Sequence, residues 1–352
     1  MSFSEIRSSV EGWTQRGQAS GVATLFRVQR SAPRRPGARF AASMGGAVAG
    51  SISSGCIEAD LSEAIREVVR DGTPRLMHYG ISDELAASVG LACGGDIDVL
   101  VEPHRPGEAA WAALGEALDG DEAALLFTGL SEDIRTRKML VRPDGSRVGS
   151  LGSEALDAEA CEDARSLLDT GGAAVLSLAG GATEVFAEAY LPSSRLAIVG
   201  GGLVAQALCH LAAFAGIAVT LVDPRSQYAQ ADQYPDARHV FAEWPEEGLG
   251  RMGLDPYVSV VVLSHDHKLD VPALSAALRA GCRYIGLLGG RRTQRLRREA
   301  LADEGFSDSD LSQIHGPVGM DIGAQSPQEI ALSILAELLA VLRGRDSGRS
   351  GA

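Results

Sequence analysis

Arg195 to Gly216 reads RLAIVGGGLVAQALCHLAAFAG, and this stretch decides the fold of the C-terminal part of the chain. An apolar run leads into three glycines and then into an apolar segment with helical spacing: a buried strand, a tight turn and a helix. Gly200, Gly201, Gly202 and Ala205 satisfy G-x-G-x-x-G/A. In that pattern Gly200 allows the turn, Gly202 lets a pyrophosphate approach the backbone, and Ala205 keeps the helix close to the sheet. Asp223 ends the next strand, AVTLVDP, at the spacing where a carboxylate reads a ribose hydroxyl. It favours NAD(H) over NADP(H), although Arg225 leaves the choice open. The alternative is a Rossmann fold that has lost its nucleotide. Downstream, RHVFAEW, SVVVLSHD and CRYIGLLGG are strand-like, with helical segments such as PALSAALRAG between some of them. Alternating β-branched strands and helices predict a doubly wound parallel sheet over residues 194–343, followed by a disordered tail at 344–352.

SHDHKLD (Ser264 to Asp270) follows SVVVL, the fourth strand of this domain. First and fourth strands are neighbours in such sheets, and ligands sit beyond their C-terminal ends. His265, Asp266, His267 and Lys268 are therefore expected to face the crevice of the glycine turn. In a strand His265 and His267 would point the same way and could share a metal, but the motif supplies no third ligand. Proton handling, contacts to a phosphate or pterin, and a simple strand cap are the other readings. GLLGGRRTQRLRREAL sets Arg291 and Arg292 at a helix start after Gly289 and Gly290, a setting that suits an anion. Arg295 and Arg298 continue that face, a pattern also typical of a solvated surface. IHGPVGMDIGAQSPQEIA adds a glycine-rich loop bordered by His315 and Asp321, with Ser326 before Pro327 as a helix cap.

The region from about residue 5 to 106 reads α+β. VATLFRV is a strand, SAPRRPGARF interrupts it, and FAASM, GG and AVAGSIS form a hairpin. IEADLSEAIREVVRDG carries Ile57, Leu61, Ala64, Ile65 and Val68 on one helical stripe, stopped by Gly72. DIDVLVEP closes the region as a strand. Residues 107–191 hold a helix, the strand AALLFTGL, a hairpin turning at Pro143-Asp144-Gly145, and a further helix and strands, with no catalytic motif. LPSSR (Leu191 to Arg195) marks the boundary, giving an α+β domain over residues 1–190 in which 106–190 either completes the domain or forms a lobe. No internal repeat stands out.

Cysteine supplies the other chemistry. Cys56 stands in SISSGCIEAD after Gly55, at the start of a helix, where unpaired N–H groups favour a thiolate. Cys93 stands in GLACGGDIDVLVEP before Gly94 and Gly95, whose backbone amides also suit an anion. Two activated thiols can bind a soft metal centre, carry a persulfide or attack an electrophile; packing is the alternative for each. Arg34 and Arg35, between two prolines, offer charge for a phosphate. Cys161, Cys209 and Cys282 sit in apolar settings and are expected in the core. There is no metal-type C-x-x-C, G-x-S-x-G, H-E-x-x-H or Walker loop.

Across 352 residues the formal charge is −14, with 45 % hydrophobic and 22 % charged residues. The length suits two or three domains, and the acidic balance argues against nucleic acid or an anionic membrane surface as partner. The N-terminus shows no secretory signal, no run is long enough to span a membrane, and five cysteines at irregular spacing read as free thiols. The expected location is the cytoplasm.

Taken together, SAPRRPGAR, SGCIEA, CGGDIDVLVEP, IVGGG, HDHKLD, GLLGGRRT and IHGPVGMDIGAQSPQEIALSILAE resemble the XdhC/CoxI family, accessory proteins that mature molybdenum hydroxylases such as xanthine dehydrogenase. Small departures are Ser54, Ala92 and Gly290, where the family has glycine, glycine and serine. The resemblance implies an accessory protein rather than an enzyme, with the molybdenum cofactor as cargo. Such a chaperone protects the cofactor while a cysteine desulfurase exchanges an oxo ligand for sulfur, then hands it to an apo-hydroxylase. On this reading Cys56 and Cys93 hold or guard the molybdenum, and the Rossmann crevice closes over the pterin or a nucleotide. A homodimer follows by family analogy. Two other readings stay open: an NAD(P)-dependent oxidoreductase using His265 or His267 as proton donor or base, and a sulfurtransferase carrying a persulfide.

Overall fold

The computed structural model describes residues 3–30, 32–80 and 95–345. Cys93, Gly94 and the tail from residue 346 lie outside the described residues. The chain divides into two compact units, Met1–Pro192 and Ser193–Ala352.

The first unit opens with α1 (Phe3–Gln15), whose buried Phe3, Ile6, Val10 and Trp13 follow helical spacing. It is followed by β1 (Ser20–Gln29), β2 (Arg39–Ser43), β3 (Val48–Gly50), α2 (Glu58–Asp71), β4 (Arg75–Tyr79) and β5 (Asp96–Pro103). These strands form an antiparallel sheet in the order β3-β2-β1-β5-β4. Alternation sorts its side chains: Val22 and Ala41 pack with α1, while Ala23, Leu25 and Phe40 pack with Leu61, Ile65 and Val68 of α2. The stripe expected from Leu61 to Val68 is the buried face of α2, and Gly72 ends the helix in a left-handed conformation.

The same plan then repeats. After α3 (Ala109–Asp119) come β6 (Ala124–Gly129), β7 (Lys138–Val141), β8 (Arg147–Gly149), α4 (Glu154–Ala164), the short α5 (Leu167–Thr170), β9 (Gly172–Leu178) and β10 (Thr183–Tyr190). Their sheet order, β8-β7-β6-β10-β9, is the first order displaced by five. Equivalent positions carry equivalent residues. Arg39 lies opposite Thr24, as Lys138 lies opposite Thr128. Glu102 lies opposite Val22, as Glu188 lies opposite Leu126. Gly50 and Gly149 both have positive φ, and a Cβ there would sit 2.3 and 2.2 Å from the carbonyl oxygens of Arg39 and Lys138. The sequence reading found no repeat; strand order and register reveal one, because the matched positions are few and scattered.

The two copies exchange charges. Arg39 of the first pairs with Glu188 of the second, and Lys138 of the second pairs with Glu102 of the first at 2.5 Å. All four are buried, and both cations lie 5.4 Å from the Trp111 ring centroid. One apolar core, including Phe3, Val22, Trp111, Leu126 and Leu140, runs through both copies.

The second unit contains β11 (Arg195–Val199), α6 (Leu203–Phe214), β12 (Ala218–Val222), β13 (His239–Phe241), α7 (Pro245–Met252) and β14 (Val258–Val262). It continues with α8 (His267–Arg279), β15 (Tyr284–Leu287), α9 (Arg291–Asp303), α10 (Asp308–Ser312), β16 (Ile314–His315) and α11 (Pro327–Leu342). The six strands are parallel in the order β13-β12-β11-β14-β15-β16. This is the doubly wound arrangement expected from the glycine turn, with its first and fourth strands paired. α6 and α11 cover one face and α8 the other. Cys209 and Cys282 are core residues, and burial pushes their thiols up to about 11 and about 12.

Candidate functional site

The Cys56 loop is built around one carboxylate. Glu58, in the first turn of α2, accepts six hydrogen bonds: from the hydroxyls of Ser51 and Ser53 and from the amides of Ile52, Ser53, Gly55 and Ile57. Burial pushes this carboxyl up, but hydrogen bonds led by the Ser53 hydroxyl outweigh it and hold the carboxyl at about 2. Gly55, at φ 118, lets the chain turn its amide inward. The consequence corrects the sequence reading: several loop amides expected to favour an anion already serve Glu58. Cys56 itself lies just before the helix cap Ile57, half-buried against the α2 face. Arg34 is paired with Glu5 at 2.8 Å and is not the open charge expected, whereas Arg35 is exposed. Gly95 is buried at the entry to β5. Cys93 and Gly94 cannot be placed beside Cys56, because they lie outside the described residues.

In the second unit the glycine turn is closed by its own protein. The Gly201 amide donates to Asp223 at 2.8 Å, and the Gly202 amide donates to the Tyr234 hydroxyl at 2.9 Å. A Cβ on Gly201 would sit 2.2 Å from the Tyr228 carbonyl oxygen. Asp223 is wholly buried. Its Oδ1 receives the amide and Nε of Arg225, and its Oδ2 receives Arg225 Nη2 at 2.7 Å. Burial pushes the Asp223 carboxyl up, and the Arg225 and Gly201 bonds more than offset this and lower it. Both oxygens of this carboxylate are engaged by Arg225 and Gly201, whereas Gly202 has open space where a Cβ would stand.

SHDHKLD is not a strand extension. β14 ends at Val262, His265 has φ 59, and His267 is the first residue of α8. The expectation that the two histidines point the same way therefore fails. Asp266 caps α8, its carboxylate accepting the Lys268 amide at 3.0 Å. His265, Asp266, His267 and Lys268 are all exposed. Beneath them lies Asp270, wholly buried, which accepts Arg297 Nε at 2.8 Å and the Ser264 hydroxyl. Arg297 also donates to the His265 carbonyl at 3.3 Å and lies 3.5 Å from His267 Nδ1. One buried ion pair thus positions the loop that carries both histidines. The left-handed backbone of His265 costs roughly 1–2 kcal/mol, and the Arg297 contact opposes that cost. Among the described residues no group of three or more His, Cys, Asp or Glu is arranged to hold a metal.

Arg291 and Arg292 are exposed at the start of α9 after the Gly290 cap. Arg298 donates to the Leu311 and Ile314 carbonyls, so it ties α9 to the neighbouring segment and is not a solvated side chain. His315 lies tilted against Tyr284, centroids 4.8 Å apart, with Nδ1 2.8 Å from the wholly buried Glu337. Asp321 accepts the Gly323 amide at 3.3 Å within its own loop.

Residues 196–338 match the model of the XdhC Rossmann domain, and residues 13–80 and 135–179 match that of the XdhC and CoxI family. The chain belongs to the XdhC and CoxI family. The two stretches of the second match fall one in each copy of the first unit's repeat. A Bacillus subtilis protein described as a probable xanthine dehydrogenase subunit is 27 % identical over 322 residues, covering 90 % of this chain and 92 % of its own. The molybdenum cofactor insertion chaperone PaoD of Escherichia coli is 27 % identical over 336 residues, covering 96 % and 87 %. An uncharacterised E. coli protein, YqeB, is 29 % identical over 225 residues, and the match spans only 41 % of its length. A Bacillus halodurans crystal structure described as a xanthine dehydrogenase aligns with TM-score 0.67 at 25 % identity, covering 99 % of this chain and 98 % of that one.

Within this XdhC-type chain the residues missed by sequence reading are Glu58, Arg297 and Glu337. For Arg297 a signal existed: Gln294, Arg297 and Leu301 recur at helical spacing and are the buried stripe of α9. The arginines at 291, 292 and 295 drew attention to the exposed face instead.

Proposed function

We propose that this chain is a maturation chaperone that binds the molybdenum cofactor and delivers it to a xanthine dehydrogenase-type apo-enzyme. The observation that carries this reading is the nearly end-to-end similarity to a molybdenum cofactor insertion chaperone. The engagement of Asp223 by Arg225 supports it over a dinucleotide oxidoreductase, whose ribose would need that carboxylate free. In the first unit, Cys56 is the thiol offered to the cargo near molybdenum, and Glu58 fixes the loop that presents it. Soft thiolate donors suit such a centre, and a half-buried site allows release as well as capture. Cys93 serves as the second thiol, and Arg35, in the same unit, is an exposed cation available to the pterin phosphate. Protection during exchange of an oxo ligand for sulfur, with a cysteine desulfurase as partner, is the stage at which a held cofactor is most useful.

The test is to purify Cys56→Ala and wild-type protein and compare bound molybdopterin and reconstitution of an apo-hydroxylase. Loss of both in the variant is the expected result. Equal loading and equal reconstitution would remove Cys56 from the reading.

A further inference from the structure

The turn between α1 and β1 and the segment after β5 enclose two hollows that share Thr14, His104 and Pro106 as lining. One, of about 310 Å³, also includes Ser20; the other, of about 260 Å³, extends over Phe3, Val10 and Trp111. The larger lies at the lower end of small-molecule sites, roughly 300–1,000 Å³, and the smaller falls just below it. The His104 amide donates to the Ser20 carbonyl at 2.9 Å, holding the two walls together.

Three side-chain atoms in this wall are buried and find no hydrogen-bond partner among the described residues: Thr14 Oγ1, Ser20 Oγ and His104 Nδ1. Ser20 is only 2 % exposed. A buried hydroxyl left without a partner is costly, and three around one hollow are unusual in a native interior. None carries a fixed charge, and each can donate or accept. Burial lowers the His104 pKa, which keeps its imidazole neutral. The second hollow adds one charge of each sign, Glu11 and Arg105, beside apolar Phe3, Val10 and Trp111. Phe3 and Trp111 are stacked with centroids 4.3 Å apart, giving that wall a fixed aromatic surface. An anion would find no concentration of positive charge here. A flat neutral ring would bury its faces on the apolar side and pair its edge with the three polar atoms.

We propose that Thr14, Ser20 and His104 form the polar edge of a binding site for a small neutral heteroaromatic molecule bearing amide-type N–H and C=O groups. The site belongs to the α1 side of the first sheet, whereas Cys56 packs on the α2 side, so it is separate from the thiol loop and stands independently of the carrier reading.

Isocytosine, a single ring with such an edge, is the probe, with toluene as the apolar control, followed by ligand-observed NMR on the full chain. Wild type is expected to bind isocytosine saturably, with Kd on the order of 1 mM for so small a ring. Ser20→Ala and Thr14→Val are each expected to weaken binding about three- to tenfold. Because neither hydroxyl has a partner in the protein, the thermal midpoint of both variants should hold or rise. The proposal is overturned by absent saturation, by equal binding in both variants, or by toluene binding as well as isocytosine. A marked drop in thermal midpoint would assign the hydroxyl to the fold and overturn it too; Thr14→Val, which keeps its shape, decides the matter if Ser20→Ala does not fold.

Discussion

The two copies in the first unit share a strand order and exchanged buried charges, yet they differ where chemistry is expected. In the first copy Ser51–Ile57 winds around Glu58 and offers Cys56; at the matching place the second has Ala155, with Asp157 where Glu58 stands. Asp157 still accepts the Leu151 amide at 2.7 Å, as Glu58 accepts that of Ile52 at 3.0 Å. The second difference is length. Residues 80–95, which include Cys93, join β4 to β5, whereas 179–182 join β9 to β10. Both candidate thiols belong to one copy. The other keeps the scaffold and the loop anchor with Ala155 in the place of Cys56, so anchor and thiol are separable features.

The comparison can be broken most forcefully at the exchanged charges. Glu188→Leu leaves Arg39 buried without its carboxylate and should cost about 3–5 kcal/mol in denaturant unfolding. Glu102→Leu should cost less, because Lys138 keeps a second carboxylate, Glu108, at 3.8 Å. A large effect from only one of the two would show that the copies do not depend on each other equally.

The loop anchors come next. Glu58→Gln keeps the shape but turns an acceptor of six bonds into a group with one acceptor oxygen, and should cost roughly 1–3 kcal/mol. It should also lower cofactor loading, whereas Asp157→Asn should affect stability alone. The acid limb sharpens this. The folded Glu58 carboxyl, at about 2, lies below its ordinary 4.5, so its stabilisation is complete above 4.5 and lost as pH falls toward 2. Acid unfolding of Glu58→Gln relative to wild type should therefore show a gap that narrows through that window; a constant gap would contradict the bonding described. The smallest effect is expected from Ala155→Cys. The position is exposed, so stability should change by less than about 0.5 kcal/mol. Cofactor loading should not rise, because placing a thiol on the second scaffold does not rebuild the Glu58 loop.

Much of this fold was legible because periodicity reports burial directly. The Leu61-to-Val68 stripe and the β-branched run at Val258–Val262 are buried as their patterns require. The candidate site was less legible because motifs name residues but not partners. Asp223 has the right spacing for a ribose, and only its distance to Arg225 shows it engaged. His265 follows a strand in sequence, but its positive φ turns the chain before alternation can apply. Glu58 looked like an ordinary first-turn acid, since nothing in a linear string says that six donors converge on it.

The exchanged charges have the pattern of an interface between like modules. Each copy carries one buried cation and one buried carboxylate, and each finds its partner in the other copy. That is the chemistry of a self-complementary two-fold interface, here carried within one chain. Substitutions at residues 39 and 188, or at 102 and 138, should therefore change in step across relatives, as contacts between protomers do.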